Sequence, residues 1–285
     1  MPHLSSPGRA AAQRLIDYFH DSAACALPGG QCLRFDGHGV VGLYEDLHLH
    51  SAYQPLLDAA TLQPLAHEAL LRARLDDSTP VPPGEVFGRP SVASHIAFVD
   101  RLCRTVHAFN FSVQAGDGDV LYLNMDGRHL LNAGNHGSAF ETLLGHCGLT
   151  PRQIVIEILE SGINDEERLI AAVANYQARG FRIAIDDFGC SHSNFDRLWK
   201  LTPDIVKLDR GLIVQSSSNP RARTILPKLI DILHDLGAKV VCEGIETAEQ
   251  HELVVTAGTD MVQGFLYARP QAALLAGPAG TLAAQ

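Results

Sequence analysis

The sequence predicts an α/β fold closed into a parallel barrel of the (β/α)8, or TIM, type. Three observations carry this. Short β-branched runs alternate with stretches of helical character, and such alternation implies parallel strands with helical crossovers. Eight such runs are present. The chain has 285 residues, close to the roughly 250 that an eight-unit barrel needs. The strand candidates, in order, are HLHSAYQPLL, LQPLAHEALL, DVLYLNM, QIVIEIL, FRIAID, DIVKLD, AKVVCEG and TDMVQG. Helix candidates lie near 91–109, 136–147, 165–179, 192–200, 220–236 and 247–257. Gly180 and Gly237 mark helix ends just before a strand, where a left-handed residue suits the chain. Residues 1–46 read as a partly helical N-terminal extension, with an amphipathic stretch at Ala10–Cys25 and a turn-rich segment after it. The barrel is assigned to 47–285.

Composition narrows the function. Lys plus Arg number 22 against 32 Asp plus Glu, a formal net charge of −10. General DNA or anionic-membrane binding normally needs a basic surface, so neither is expected. Hydrophobic residues make up 46% and charged residues 19%, which is globular rather than disordered. No stretch reaches the about 18 apolar residues of a spanning helix. Arg9, Arg14 and Asp17 interrupt the N-terminal apolar stretch, so a secretory signal is not expected. The six cysteines show no paired or zinc-binding spacing, and free thiols in a cytoplasmic protein are the expectation. Neither GxGxxG after the first strand nor GxxxxGK[ST] occurs, so Rossmann and P-loop nucleotide sites lack their markers.

Polar residues gather at the ends of the predicted strands: Glu68, Asn124, Glu157, Asp186, Asp187, Lys207, Asp209, Glu243, Glu246 and Gln263, with Arg72 four residues beyond Glu68. In such a barrel all strand C-termini open on one face, where the active site is built. Crowded carboxylates repel one another and lose hydration. A hard cation such as Mg2+ or Mn2+ relieves this, and oxygen ligands suit it. No His or Cys occupies a comparable position, which argues against zinc. Adjacent Asp186 and Asp187 cannot both face inward on a regular strand. A backbone turn at the strand end would let both face the mouth and serve two metals about 3.5–4 Å apart, a common device for phosphodiester hydrolysis.

These segments resemble the EAL-domain cyclic-di-GMP phosphodiesterases from about Leu47 to Pro270. The matching stretches are YQPLLD, EALLR, LNMD, IEILES, DDFG, DIVKLD, CEGIET and VQGFLYARP. The resemblance implies a modified barrel whose first strand is antiparallel to the rest. It also implies hydrolysis of cyclic-di-GMP to linear pGpG with Mg2+ or Mn2+, two per site. On this likeness Glu68, Asn124, Glu157 and Asp186 hold the first metal, and Asp186 with Asp187 the second. Lys207, Glu243, Asp187, Glu160 and Gln263 are the catalytic candidates. Arg72, Leu70, Asp209 and Glu246 are assigned to the substrate. A homodimer is implied, and residues 1–46 offer a place for a regulatory protein. One departure stands out: DDFG continues as Cys190–Ser191, where the family has a small residue and then glycine. The alternative reading is therefore a weak or silent cyclic-di-GMP receptor that acts through a partner. Phe188 is expected to pack the loop, with guanine stacking as the minority reading.

Overall fold

The computed structural model describes residues 5–21, 32–89, 92–125, 136–159, 165–190 and 195–277. Eleven strands form one sheet: β1 Leu33–Phe35, β2 Val40–Tyr44, β3 Leu47–Asp58, β4 Pro64–Leu75, β5 Pro80–Val81, β6 Leu121–Met125, β7 Ile154–Leu159, β8 Arg182–Phe188, β9 Ile205–Leu208, β10 Lys239–Cys242 and β11 Met261–Val262. Eight of them close in the order β3-β4-β6-β7-β8-β9-β10-β11, with β11 pairing back onto β3. The pairings from β4 through β11 are parallel, and β3 is antiparallel to both neighbours. All eight predicted strands thus fall in the barrel, and its first strand runs against the rest as expected. Closure removes the free edges that an open sheet would expose.

Helices cover the outside: α1 Ser6–Asp21, α2 Pro83–Gly88, α3 Ala93–Ser112, α4 His136–Cys147, α5 Glu166–Ala178, α6 Phe195–Leu201, α7 Arg210–Ser218, α8 Pro220–Asp235 and α9 Ala248–Thr256. Their caps are written locally. Asp165, Asp209, Asn219 and Thr247 each accept a backbone N–H with the side chain at a helix start, which satisfies donors the first turn leaves unpaired. The main core lies between these helices and the barrel wall, and a smaller one fills the barrel. That inner core takes one residue per strand: Leu56, Ala66, Tyr122, Val155, Ala184, Ile205, Val241 and Met261.

The sequence reading changes in four places. The turn-rich stretch LPGGQCLRFDGHG holds β1, and β2 follows directly after it; the two pair with each other and extend the sheet from β3. Helix α1 begins four residues earlier than its predicted stretch and packs on β1 and α4, with Tyr18 stacked on His146 at 4.0 Å. Helix α7 was not anticipated; RGLIVQSSS has little helical propensity, but the Asp209 cap and burial of Ile213 and Ser216 hold it. The expectation of six free thiols is corrected at Cys32, which is disulfide-bonded.

Candidate active site

Strand alternation builds the site. Side chains two residues apart on a strand share a face. Two residues beyond each inner-core residue, toward the mouth, stand Gln54, Glu68, Asn124, Glu157, Asp186, Lys207, Glu243 and Gln263. On antiparallel β3 the step runs backward along the chain, which brings Gln54 to the same end. A polar layer therefore sits directly on the apolar one.

Lys207 is at its centre and 1% exposed. Its Nζ lies 2.6 Å from Glu243 Oε1, 3.2 Å from Asp186 Oδ1 and 3.5 Å from Glu68 Oε2, and it also contacts Glu157 Oε1. Asn124 Nδ2 donates to Glu68 Oε1 at 3.2 Å, and Gln263 Nε2 donates to Glu68 Oε2 at 2.9 Å. Four carboxylates thus share one ammonium, leaving a buried surplus of negative charge. Burial pushes Glu157 well above the ordinary carboxylate range; Glu68 adds to the shift and Lys207 opposes it. Burial likewise raises Glu243, to about 8, against the opposing pull of Lys207. Burial would lower Lys207, but the surrounding acids, Glu157 foremost, hold it well above its ordinary value. The ammonium therefore stays charged, and the acids compete for what it cannot neutralise.

Asp187 adds a further oxygen ligand by leaving the strand. Its φ is 56° and the β8–β9 register shifts between Ile185 and Phe188. Asp tolerates this left-handed conformation better than most residues. Its backbone N–H donates to Asp186 Oδ1 at 3.0 Å. Carboxylate oxygens of Asp186, Asp187 and Glu243 all lie within 4.8 Å of one another. The turn expected from the adjacent aspartates is present. Glu157 Oε2 is buried and, among the described residues, has no hydrogen-bond partner. Hard oxygen donors, excess charge and an unsatisfied buried carboxylate oxygen all fit a divalent cation.

The remaining candidates sit farther out. Leu70 and Arg72 follow Glu68 on the same face of β4 at the barrel mouth. Arg72 is exposed and bonds only its neighbour's carbonyl, Leu71 O, at 2.9 Å among the described residues. Asp209 caps α7 through Gly211 N at 2.8 Å, and Glu246 pairs with exposed Arg210 at 2.9 Å. Both stand at the rim with partners of their own. Glu160 and Ser191 lie outside the described residues. Phe188 is buried against Phe195 of α6, ring centroids 5.4 Å apart; the loop it is expected to pack includes residues 191–194, which lie outside the described residues. His67 accepts from Leu275 N at 3.0 Å, a structural role. Buried Cys242 has its thiol pushed up to about 12 by burial, which keeps it unreactive. Gln54 was missed. It belongs to the ring and donates to Ala268 O at 3.2 Å; its position in YQPLLD, on the lone antiparallel strand, was the available signal.

The chain belongs to the EAL domain family, whose model matches residues 42–270. It is 29% identical over 228 residues to the bifunctional diguanylate cyclase/cyclic di-GMP phosphodiesterase MucR of Pseudomonas aeruginosa, a match covering 78% of this chain and 33% of that protein. Among solved structures it resembles the Klebsiella pneumoniae BlrP1 manganese/cy-diGMP complex, at 25% identity and TM-score 0.71, covering 78% of this chain and 56% of that one. It also resembles the Bacillus subtilis YkuI protein in complex with substrate c-di-GMP and calcium, at 26% identity and TM-score 0.70, covering 80% and 57%. The chain spans about a third of the length of the curated relatives it matches. No helix among the described residues is long and apolar enough to cross a membrane.

Proposed function

We propose that this chain hydrolyses one phosphodiester of cyclic-di-GMP to give linear pGpG, using Mg2+ or Mn2+, two per site. The observation that carries the reading is the oxygen set around Lys207: Glu68, Asn124, Glu157 and Asp186 for one cation, and Asp186 with Asp187 for a second. When bound, such cations supply Lewis-acid stabilisation of the phosphate and lower the pKa of water. The chain's own groups do the rest. Lys207 Nζ faces developing negative charge as a buried, pre-oriented cation. Glu243, 2.6 Å from Lys207 Nζ, holds that ammonium in place beside the cation ligands. Gln263 and Asn124 hold Glu68 in place by their amide bonds. Glu160 is assigned its part in catalysis by the family likeness alone. Arg72 offers a planar fork of donors to a phosphate at the mouth, with Leu70, Asp209 and Glu246 completing the substrate side.

In this reading 47–285 is the catalytic barrel and 1–46 an extension through which a regulatory protein acts. The protein works in the cytoplasm, as a homodimer; exposed Phe195 and Trp199 on α6, beside DDFG, support such a contact. The test is incubation with cyclic-di-GMP and Mn2+ under a metal titration. Accumulation of pGpG is expected. No pGpG at high enzyme concentration overturns the reading, and tight binding without turnover transfers it to the receptor alternative. Arg72→Lys should raise KM several-fold with a smaller change in kcat, measured by steady-state kinetics.

A further inference from the structure

Past the ring, β3 and β4 continue as a ribbon that β1 and β2 widen into an antiparallel platform. One face packs on α3: Leu33, Val40, Tyr44, Leu47, Leu49 and Leu71 belong to the main core. The other face continues the inner wall of the barrel. The alternation that turns Gln54 and Glu68 inward also puts His50 and Arg72 on it, opposite one another in register. His50 is four residues from Gln54, about 13 Å at roughly 3.3 Å per residue, a span a nucleotide can cover.

Beside His50 the platform opens. Pairing of β2 with β3 reaches Gly42↔Leu49, and the gap beyond it holds a cavity of about 230 Å³. Asp36, His38, Gly39, His50, Ser51 and Ala272 are among its lining residues. Its walls are fixed. Asn110 clamps β2, accepting from Val40 N at 2.8 Å and donating to Val40 O at 2.9 Å. Ser51 Oγ is bonded to buried His107 Nδ1 at 2.7 Å. A Cβ at Gly39 would lie 2.2 Å from Asn110 Oδ1, so only glycine fits there. Asp36 Oδ1 accepts from the backbone N–H groups of His38 and Gly39, each at 3.0 Å. Both bonds land on one oxygen; among the described residues Oδ2 accepts no hydrogen bond and is left for a ligand.

We propose that this cavity is a guanine subsite that takes the distal base of the cyclic dinucleotide, Asp36 reading its Watson–Crick edge and His50 standing beside it. The inference rests on the cyclic-di-GMP reading above. Guanine presents N1–H and the N2 amino group side by side, a donor pair that matches a carboxylate, while its O6 and N7 accept from cationic or imidazole N–H groups. Adenine offers an acceptor at N1 and has no such pair. His50 lines the cavity and stands opposite Arg72 in register, so it links this pocket to the strand pair whose Arg72 faces the phosphate at the mouth.

Asp36→Asn is the test, because it keeps Oδ1 for the turn while replacing one acceptor by a donor. Thermal melting and Mn2+ binding by calorimetry report whether fold and ring survive. The expected result is a KM, and a Kd by calorimetry, for cyclic-di-GMP about tenfold higher, with kcat changed less than twofold and reduced selectivity over cyclic-di-AMP. His50→Gln should weaken binding about threefold. An unchanged KM, Kd and selectivity in folded Asp36→Asn overturns the subsite while leaving the hydrolase reading intact. GMP binding that the substitution weakens while cyclic-di-GMP kinetics stay unchanged overturns the distal-base assignment. Wild-type protein that neither binds nor cleaves cyclic-di-GMP removes both.

Discussion

Two layers inside the barrel lie only two residues apart on every strand, yet they answer to different physics. In the lower layer Ala66, Val155, Ala184, Ile205 and Val241 are buried among their own kind, and contact satisfies each of them. In the upper layer Glu68, Glu157, Asp186 and Glu243 are gathered about Lys207, with Glu157 Oε2 left without a partner among the described residues. Identical backbone geometry therefore supports a stabilising layer and a strained one. The strain is tolerable because the first lies directly beneath the second, and a site is commonly held in this way by structure elsewhere.

The comparison can be broken at three strengths. Asp186→Asn acts on the shared ligand of the upper layer. Turnover of cyclic-di-GMP should drop more than about a hundredfold, since both cation positions weaken together; a near-wild-type rate in a Mn2+ assay would refute the bridging role. Below it, Ile205→Val should cost about 0.5–1.5 kcal/mol of stability, measured by urea denaturation, with kcat unchanged. A large loss of kcat with intact stability would show that the layers are not separable.

The smallest effect is a pH dependence of the metal-free protein. Glu243 titrates near 8 in the fold against an ordinary value of 4.5, and Glu157 is shifted the same way. A carboxylate whose folded pKa is raised contributes stability below its unfolded pKa, and that contribution is lost as pH rises through the folded one. Melting temperature without metal should therefore fall between about pH 4.5 and 8. Mn2+ should restore it, with apparent affinity rising over the same interval as the ligands lose their protons. A melting temperature flat across that window would count against the buried-acid account.

Much of the barrel could be read from the chain because its signals are local. The run QIVIEIL is β-branched over a strand's length, and the Gly180 and Gly237 breaks fall where helices meet strands. The strand-end acids were visible for the same reason. Strands β1 and β2 were not, since LRF and VVGLY are too short to outweigh the surrounding Gly-rich turns. Helix α7 was hidden by weak propensity that a cap and tertiary burial override. Gln54 went unread because its strand runs against the others, so its mouth end is its start.

By itself, then, the sequence determined the order of the eight barrel strands and of most helices between them, the polar residues at the ends of seven of those strands, and the family, because these depend on short-range pattern and motif spacing. The tertiary structure alone decided that Lys207 is the hub of four carboxylates, that Gln54 joins the ring, and that Asp36 and His50 meet across a cavity. These depend on closure, strand direction and register, which fix which distant side chains share a level, and no local pattern encodes them.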